Sequence, residues 1–166
     1  MRLISTSALV LAATLLAFAC GAREVQAAGA PAPARAAATE PVFHPLQGAL
    51  AGMQLPFSES VRAGDMLYLS GQIGSDAAGN LVAGGIAAET RQLMDNIGAA
   101  LRRGDSSFDR VVQCTAALTD IKDWPAFNEV YRTYFTTHLP ARMAYAATGL
   151  AHGAHAEVQC NAAIAR

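Results

Sequence analysis

From residue 58 onward, apolar and polar positions follow the two periods expected of strands and helices. The segments 58–62 and 66–70 flank the turn sequence Ala63-Gly64-Asp65, and this arrangement predicts a hairpin. A helix is predicted from Gly84-Gly85 to near Gly104, because residues of one face recur there every three or four positions. That face consists of Ile86, Thr90, Leu93, Ile97 and Leu101.

The remaining elements complete the pattern of an α+β domain. Residues 110–118 predict a buried strand, and a second helix is predicted from Asp123 to near His138. Two closing strands are predicted at 141–148 and 155–164. The aromatic residues of the second helix share one face, which predicts core packing: Trp124, Phe127, Tyr131 and Tyr134. This order predicts a mixed sheet with two helices packed on one face.

The last predicted strand has one apolar and one polar side. Period-two alternation puts Ala156, Val158, Cys160 and Ala162 on the side expected to meet the helices. The opposite side carries His155, Glu157, Gln159 and Asn161. Glu157 is therefore expected to face away from the helices, toward solvent or another subunit.

Residues 1–19 resemble a secretory signal peptide. Arg2 is followed by a run of about 17 weakly polar to apolar residues that ends in small residues. A retained transmembrane helix is a third alternative, besides a cleaved signal peptide and a lipoprotein signal. The run is short for a membrane span. The sequence therefore predicts an exported, periplasmic protein.

The sequence leaves the cleavage point of this leader open. Ala17-Phe18-Ala19 and Val25-Gln26-Ala27 both have small residues in the positions that ordinary cleavage requires, so the signal peptide extends to 19 or to 27. Cys20 resembles the cysteine of a lipoprotein site, which would make it a lipid anchor. The leucine usual three residues before such a cysteine is missing, which favours the soluble product.

The segment 20–54 is rich in alanine and proline and has no helical or alternating periodicity. It is interpreted as a flexible linker, and the ordered domain is predicted to span 55–166. A domain of roughly 120 residues is long enough to bury one core.

Charge and metal-ligand patterns exclude several classes of function. The formal net charge of −1 and the lack of a Lys/Arg cluster argue against a nucleic-acid-binding face. His152 and His155 with Glu157 form a weak metal motif without a clear fourth ligand, so no metal is predicted. Cys114 and Cys160 form a disulfide in an oxidising compartment or remain buried thiols, and both alternatives stay open.

Arg142 is the first candidate for function. It lies in Leu139-Pro140-Ala141-Arg142-Met143, where a turn becomes a strand, so the backbone fixes the direction of its guanidinium. Recognition of a planar carboxylate requires such a fixed cation. Glu157, on the other closing strand, is either a second functional group or simply the ion-pair partner of Arg142.

Several short motifs resemble the RidA (YjgF/YER057c/UK114) family in order and spacing. They are Phe57-Ser58-Glu59-Ser60-Val61, Leu69-Ser70-Gly71-Gln72-Ile73, Thr90-Arg91-Gln92, Asn128-Glu129-Val130-Tyr131, Pro140-Ala141-Arg142 and Glu157-Val158. The resemblance covers residues 57–165. It implies a chorismate-mutase-like α+β fold that assembles as a homotrimer with clefts at the subunit interfaces.

The resemblance also implies an activity and a set of site residues. Such proteins deaminate 2-aminoacrylate-type enamine and imine acids to 2-keto acids and ammonia, without metal or organic cofactor. Arg142 matches the arginine that binds the substrate carboxylate, and Glu157 matches the acid that handles the hydrolytic water. Ser70 and Gly71 match the strand end that lines the cleft, and Asn128 matches a supporting asparagine.

The chain departs from the family pattern at positions near this site. Phe57 stands where the family usually has a tyrosine, so one hydroxyl that could bind substrate or water is missing, and Glu59 follows it. Gly74 replaces a usual proline, Ala144 a frequent small polar residue or cysteine, and Gln159 a second acid. The resemblance therefore implies deaminase chemistry with an altered substrate range or rate.

Three functions remain open on the sequence. The first is an exported imine deaminase with a small imino or keto acid as its partner. The second is a binding module in which the same cleft holds a small carboxylate without turnover. The third is a chaperone-like interaction role that would not depend on Arg142.

Overall fold

The computed structural model describes residues 40–165. The predicted signal peptide, its alternative cleavage points, Cys20 and the linker as far as residue 39 lie outside the described residues. Within 40–165, no helix is long and apolar enough to cross a membrane.

A seven-stranded mixed sheet forms one layer of the described domain. Its strands are β1 (Val42–His44), β2 (Ser60–Ala63), β3 (Met66–Leu69), β4 (Gln72–Ile73), β5 (Val111–Leu118), β6 (Ala141–Ala146) and β7 (Ala156–Ala163). The order is β1-β2-β3-β7-β5-β6, and β4 pairs with β7 beyond the end of β3. Only the β5–β6 pair is parallel among these strands.

Two helices cover one face of this sheet, as predicted. Helix α1 spans Gly85–Arg103 and α2 spans Trp124–Tyr131. The core lies between the two layers and includes fully buried side chains from both: Leu67, Leu93, Met94, Ile97, Leu101, Val111, Leu118, Phe127 and Val158. The α+β class and the helix–sheet arrangement expected from the sequence are confirmed.

The second helix ends earlier than its pattern predicted. After α2 the chain forms one 3₁₀ turn, Arg132–Tyr134, and Phe135 is already extended, well before His138. Phe135 packs against Tyr131 and Phe108 with ring centroids 4.9 and 5.5 Å apart. Phe135 follows Tyr131 by four residues and joins the same core. The helical spacing of aromatic residues therefore continues past the end of the helix.

The ordered domain also begins before the predicted boundary at Leu55. Strand β1 pairs antiparallel with β2, and a 3₁₀ turn follows at Gly48–Leu50. The His44 imidazole lies 2.8 Å from the Ser60 hydroxyl, so a side-chain contact supplements the backbone pairing. The predicted C-terminal end of the linker 20–54 is therefore wrong. The sequence does not reveal β1, because a strand of three residues is too short to produce a periodicity.

The two cysteines of the described domain form a disulfide. Cys114 of β5 and Cys160 of β7 are directly paired across the two strands and fully buried, with their Cα atoms 4.1 Å apart. Of the two alternatives left open by the sequence, the structure has the bonded one. The bond joins segments that are 46 residues apart in the chain and fixes the central pair of strands.

A buried acid anchors the start of β7 to α1. Glu89 is 3% exposed, and its carboxylate accepts a 2.8 Å hydrogen bond from the backbone N–H of His155 and contacts the His155 imidazole at 2.5 Å. The helix approaches the sheet closely here, since a Cβ on Gly74 would lie 2.7 Å from the backbone of Glu89. Gly74 is therefore required at this contact.

Loss of the disulfide is expected to lower stability without changing the fold. Replacing both Cys114 and Cys160 by Ala should lower the free energy of unfolding by about 2–4 kcal/mol, because the cross-link restricts the unfolded chain. Chemical denaturation with and without reductant measures this difference. Reductant should destabilise the wild type and leave the double variant unchanged, and equal midpoints for the reduced and oxidised wild type would refute the bond.

The contact between His155 and Glu89 makes stability depend on pH. The Glu89 hydrogen bond and charge raise the pKa of His155 above its usual value, with a smaller contribution from Asp123. A raised pKa in the folded state means that this stabilisation is present below the unfolded-state pKa of about 6.5 and is lost as pH rises through the folded-state value.

His155→Gln should therefore lower stability at pH 6 more than at pH 8, by about 0.2–1 kcal/mol, the range of solvent-exposed ion pairs. Denaturation at both pH values, with His138→Gln as the matched control, measures the effect. The same loss at both pH values in His155→Gln would contradict the assignment, and NMR titration of the ring provides an independent check.

Candidate functional site

Arg142 is held by an amide and by aromatic rings on α2. It is the second residue of β6, and its Nη2 donates a 2.8 Å hydrogen bond to Asn128 Oδ1. Its guanidinium carbon lies 4.7 Å from the ring centroid of Trp124, 5.7 Å from that of Phe127 and 4.6 Å from that of Tyr131. These contacts fix the plane of the guanidinium through cation–π attraction.

The positive charge of Arg142 has no acidic partner in this environment. Within residues 40–165, ion pairs join Arg103 to Glu59 and His155 to Glu89, and no carboxylate lies within 4.0 Å of Arg142. An amide oxygen and π faces orient the cation but do not neutralise it. The guanidinium can therefore bind a carboxylate from outside the chain.

Tyr131 completes the surroundings of this cation. Burial raises the pKa of Tyr131 to about 12, although the charge of Arg142 opposes the rise. Its hydroxyl is buried and finds no hydrogen-bond partner among the described residues. The phenol therefore stays protonated at neutral pH and retains an unused hydrogen-bond donor beside the guanidinium.

Glu157 lies in the middle of the sheet, over Gly71. It pairs with Ile73 of β4 on one side and with Ala117 of β5 on the other. A Cβ on Gly71 would collide with Glu157 Oε1 and lie 2.9 Å from its Cδ. Glycine at position 71 is therefore what allows the carboxylate to lie against this strand end.

Ser70 connects this strand end to the segment that carries Phe57. The Ser70 hydroxyl donates a 2.6 Å hydrogen bond to the Ser58 carbonyl, and its N–H donates to the Glu59 carbonyl at 3.0 Å. Phe57, next to Ser58, is 48% exposed. Ser70 thus positions the segment on which the missing tyrosine hydroxyl would have stood.

Glu59 has a structural partner. Its carboxylate is 6% exposed and accepts hydrogen bonds from Nε and Nη2 of Arg103, the Nε bond measuring 2.7 Å. This bidentate pair ties the segment before β2 to the last turn of α1. The acid that follows Phe57 is therefore engaged in holding the fold.

The predicted site residues fall into two groups that one chain does not bring together. Directly paired residues of neighbouring strands share a face of the sheet, and Arg142 pairs with Cys114 while Glu157 pairs with Ala117. Positions 114 and 117 of β5 point to opposite faces. Arg142 and Asn128 therefore lie on the helix side, and Glu157 lies on the open side.

The interpretation of Glu157 as the ion-pair partner of Arg142 is therefore wrong for a single chain. Strand β5 separates β6 from β7, so the two closing strands are not neighbours. The His152/His155 motif also has a different role, because His155 contacts Glu89. Within the part of the chain that the structure describes, no group of three or more His, Cys, Asp or Glu residues could hold a metal ion.

The aromatic face of α2 packs in the core, as its spacing predicts, and has a second role that the spacing does not reveal. Trp124, Phe127 and Tyr131 pack as a stack, with neighbouring ring centroids 6.4 and 5.5 Å apart, and also surround Arg142. Their spacing of three and four residues was the available signal. This spacing does not show that β6 lies beside the three rings, because the position of β6 depends on a non-local strand pairing.

Comparisons with known proteins show the family of this chain. A family model described as Endoribonuclease L-PSP matches residues 49–164. A Mus musculus protein named 2-iminobutanoate/2-iminopropanoate deaminase is 39% identical over 105 residues, which cover 63% of this chain and 78% of that protein. The Homo sapiens protein of the same name is 40% identical over 105 residues, covering 63% and 77%.

Solved structures show the same fold. The RidA protein of a Psychrobacter species superposes with a TM-score of 0.65 at 28% identity, covering 74% of this chain and 94% of that chain. YyfA of Yersinia pestis, from the Rid protein family, gives a TM-score of 0.70 at 29% identity, covering 75% and 100%. The chain therefore belongs to the Endoribonuclease L-PSP family, the family of the RidA and YjgF proteins.

Proposed function

We propose that this protein is an enamine/imine deaminase that hydrolyses 2-aminoacrylate-type 2-imino acids to 2-keto acids and ammonia. The observation that carries this proposal is the fixed, uncompensated guanidinium of Arg142, which is suited to binding a substrate carboxylate. The deaminase names of relatives at about 40% identity support the same activity. Arg142 and Glu157 are the proposed catalytic residues.

The reaction divides between these two residues. Arg142 holds the substrate carboxylate and thereby fixes the position of the imine carbon, with each charge-assisted hydrogen bond contributing about 1.5–3 kcal/mol. Glu157 takes a proton from water as the oxygen attacks this carbon and the C=N π electrons move to nitrogen. The protonated Glu157 gives this proton to the nitrogen, and a carbinolamine results. Glu157 then moves the hydroxyl proton to the same nitrogen, so the C–N bond breaks as the C=O bond forms, and ammonia and the 2-keto acid result.

The substrate explains why this chemistry can proceed with side chains alone. The imine carbon is already electrophilic, so the residues have only to orient it and to transfer protons. The proposed supporting residues are Phe57, Ser70, Gly71 and Asn128. Asn128 orients the guanidinium, and Ser70 and Gly71 form the strand end against which Glu157 lies.

The site requires two copies of the chain, because Arg142 and Glu157 are on opposite faces of one sheet. The family resemblance implies a homotrimer with clefts at the subunit interfaces, and we propose that Arg142 of one subunit meets Glu157 of the next in such a cleft. The open face carries large exposed apolar side chains that support association: Phe43 (66% exposed), Tyr68, Met143 (58%) and Tyr145. Burial of such side chains between subunits favours assembly.

The proposed location is the periplasm. The leader-like sequence of residues 1–19 supports export, and the Cys114–Cys160 disulfide is of the kind that persists in oxidising compartments. A lipoprotein anchored through Cys20 is the alternative. Metabolic labelling with a radioactive fatty acid, compared with the Cys20→Ser variant, distinguishes the two forms.

A non-catalytic binding module is the second candidate function. Phe57 favours it, because a phenyl ring at this position offers no hydroxyl to substrate or water. Such a module would bind a 2-keto acid through Arg142 without accelerating hydrolysis. Binding of 2-oxobutanoate by calorimetry, in parallel with the rate assay, separates this candidate from the enzyme.

Removal of either proposed catalytic group is expected to abolish most of the activity. Arg142→Ala and Glu157→Gln should each lower kcat/KM for imine hydrolysis at least about 100-fold, because one loses carboxylate binding and the other proton transfer. The rate of loss of imino acid, generated in situ by an amino-acid oxidase, measures this effect. The matched controls Arg132→Ala and Glu129→Gln, both at exposed positions, should retain wild-type rates. Wild-type rates in Arg142→Ala would exclude this mechanism.

Mixing the two inactive variants tests whether the site is shared between subunits. If Arg142 and Glu157 of different copies form each site, random co-assembly of Arg142→Ala with Glu157→Gln chains leaves about a quarter of the sites intact. Co-expression of the two chains with different tags, followed by tandem purification, should therefore restore activity well above that of either variant. No recovery in a verified mixed oligomer would show that both groups must come from one chain.

A further inference from the structure

An apolar groove adjoins Arg142 on the helix side of β6. It is a shallow groove, open to solvent, with a volume of about 610 Å³, and it is lined by Ile121, Lys122, Trp124, Pro125 and Ala144. Neither the disulfide nor the Glu89 and Glu59 contacts involve these residues. The groove therefore requires an explanation of its own, and the following inference rests on the proposed function.

The groove is continuous with the surroundings of the guanidinium. Trp124 lines it and also lies 4.7 Å from the guanidinium carbon of Arg142. Ala144 follows Arg142 by two positions in β6, so both residues project from the same side of the strand. A carboxylate bound to Arg142 would thus have the groove within reach of the substituent on its imine carbon.

The lining of this groove is suited to hydrocarbon. Its walls are an indole ring, a proline ring, an aliphatic side chain and the methyl group of Ala144, and no acidic residue contributes. Lys122 is exposed and can keep its ammonium in solvent while its methylene groups cover apolar surface. A polar substrate side chain would find no carboxylate or amide partner among these five residues.

Ala144 is the residue that makes the groove accessible. Its side chain is small, and the half-buried position on β6 faces the helices, so a larger residue there would occupy the groove. Ile121 also lines the groove, and its side chain is 53% exposed. The exposed isoleucine gains a contact when an apolar ligand group lies against it.

We propose that this groove binds the side chain of the substrate and that the protein prefers 2-imino acids with large apolar side chains. The imino acids related to leucine and phenylalanine fit this description, whereas 2-iminopropanoate, with a single methyl group, leaves the groove unused. Each additional methylene in an apolar pocket changes substrate selection by roughly tenfold or more. Ile121, Trp124 and Ala144 are the specificity-determining residues in this assignment.

The test compares imino acids generated in situ from leucine, phenylalanine and alanine by an amino-acid oxidase. Semicarbazide traps the remaining imine, and the fall in adduct formation gives the rate of hydrolysis. The wild type should show a kcat/KM at least about tenfold higher for the leucine- and phenylalanine-derived imines than for the alanine-derived one. Equal or lower values for the large substrates would overturn the inference while leaving the deaminase activity intact.

Filling the groove should remove most of this preference. Ala144→Leu should lower kcat/KM for the leucine-derived imine about tenfold more than for the alanine-derived imine. Ala78→Leu, in an exposed turn, is the matched control and should leave the ratio unchanged. Ile121→Ser, at an exposed position, provides a second variant if Ala144→Leu folds poorly. It should also lower the ratio of kcat/KM for the leucine-derived imine to kcat/KM for the alanine-derived imine.

The outcomes distinguish a failure of the proposed deaminase activity from a failure of the proposed side-chain site. If the wild type accelerates the hydrolysis of no imine, the proposed activity fails and the groove has no substrate to select. If it accelerates all three and neither groove variant changes the ratio, the activity stands and the groove is not the side-chain site. A changed ratio in Ala144→Leu and Ile121→Ser, with Ala78→Leu unchanged, supports the inference.

Discussion

The alternation of residues along β7 is the constraint on which this domain depends. The strand is flanked by β3 and β4 on one side and by β5 on the other, so its backbone hydrogen bonds hold the sheet together. Its residues Ala156, Val158, Cys160 and Ala162 enter the core, while the residues between them face the open side. One strand therefore supplies both the centre of the core and the acid proposed for catalysis, and a register shift by one residue would exchange the two.

The same geometry places the two halves of the proposed site on opposite faces of each chain. A residue pointing to the core side can be oriented by the helices, and Arg142 takes its direction from Asn128 and the rings of α2. A residue on the open side can be oriented only by neighbouring strands, and Glu157 lies against Gly71. The sheet therefore separates the two side chains within one chain. Association of copies is thus built into the proposed chemistry.

Local patterns in the sequence predicted many of the elements of this structure. The glycines before α1 and after it marked its ends correctly, and the two-residue period of the last strand assigned each side of β7. The pattern failed where short or non-local features decide. Strand β1 is only three residues long and is preceded by Pro41, so its composition resembles a linker. The insertion of β5 between the two closing strands depends on pairings between residues far apart in sequence, which periodicity does not encode.

The position of β7 in the sheet has a consequence for how the chain acquires its structure. Until this strand, the last described element, takes its place, β3 and β5 each present an open edge and the cysteines on either side of the gap are apart. Docking of the strand in register places Cys160 directly opposite Cys114, and the disulfide then fixes this closure covalently. In the oxidised chain, the bond keeps β5 and β7 joined in this register even where their backbone hydrogen bonds open.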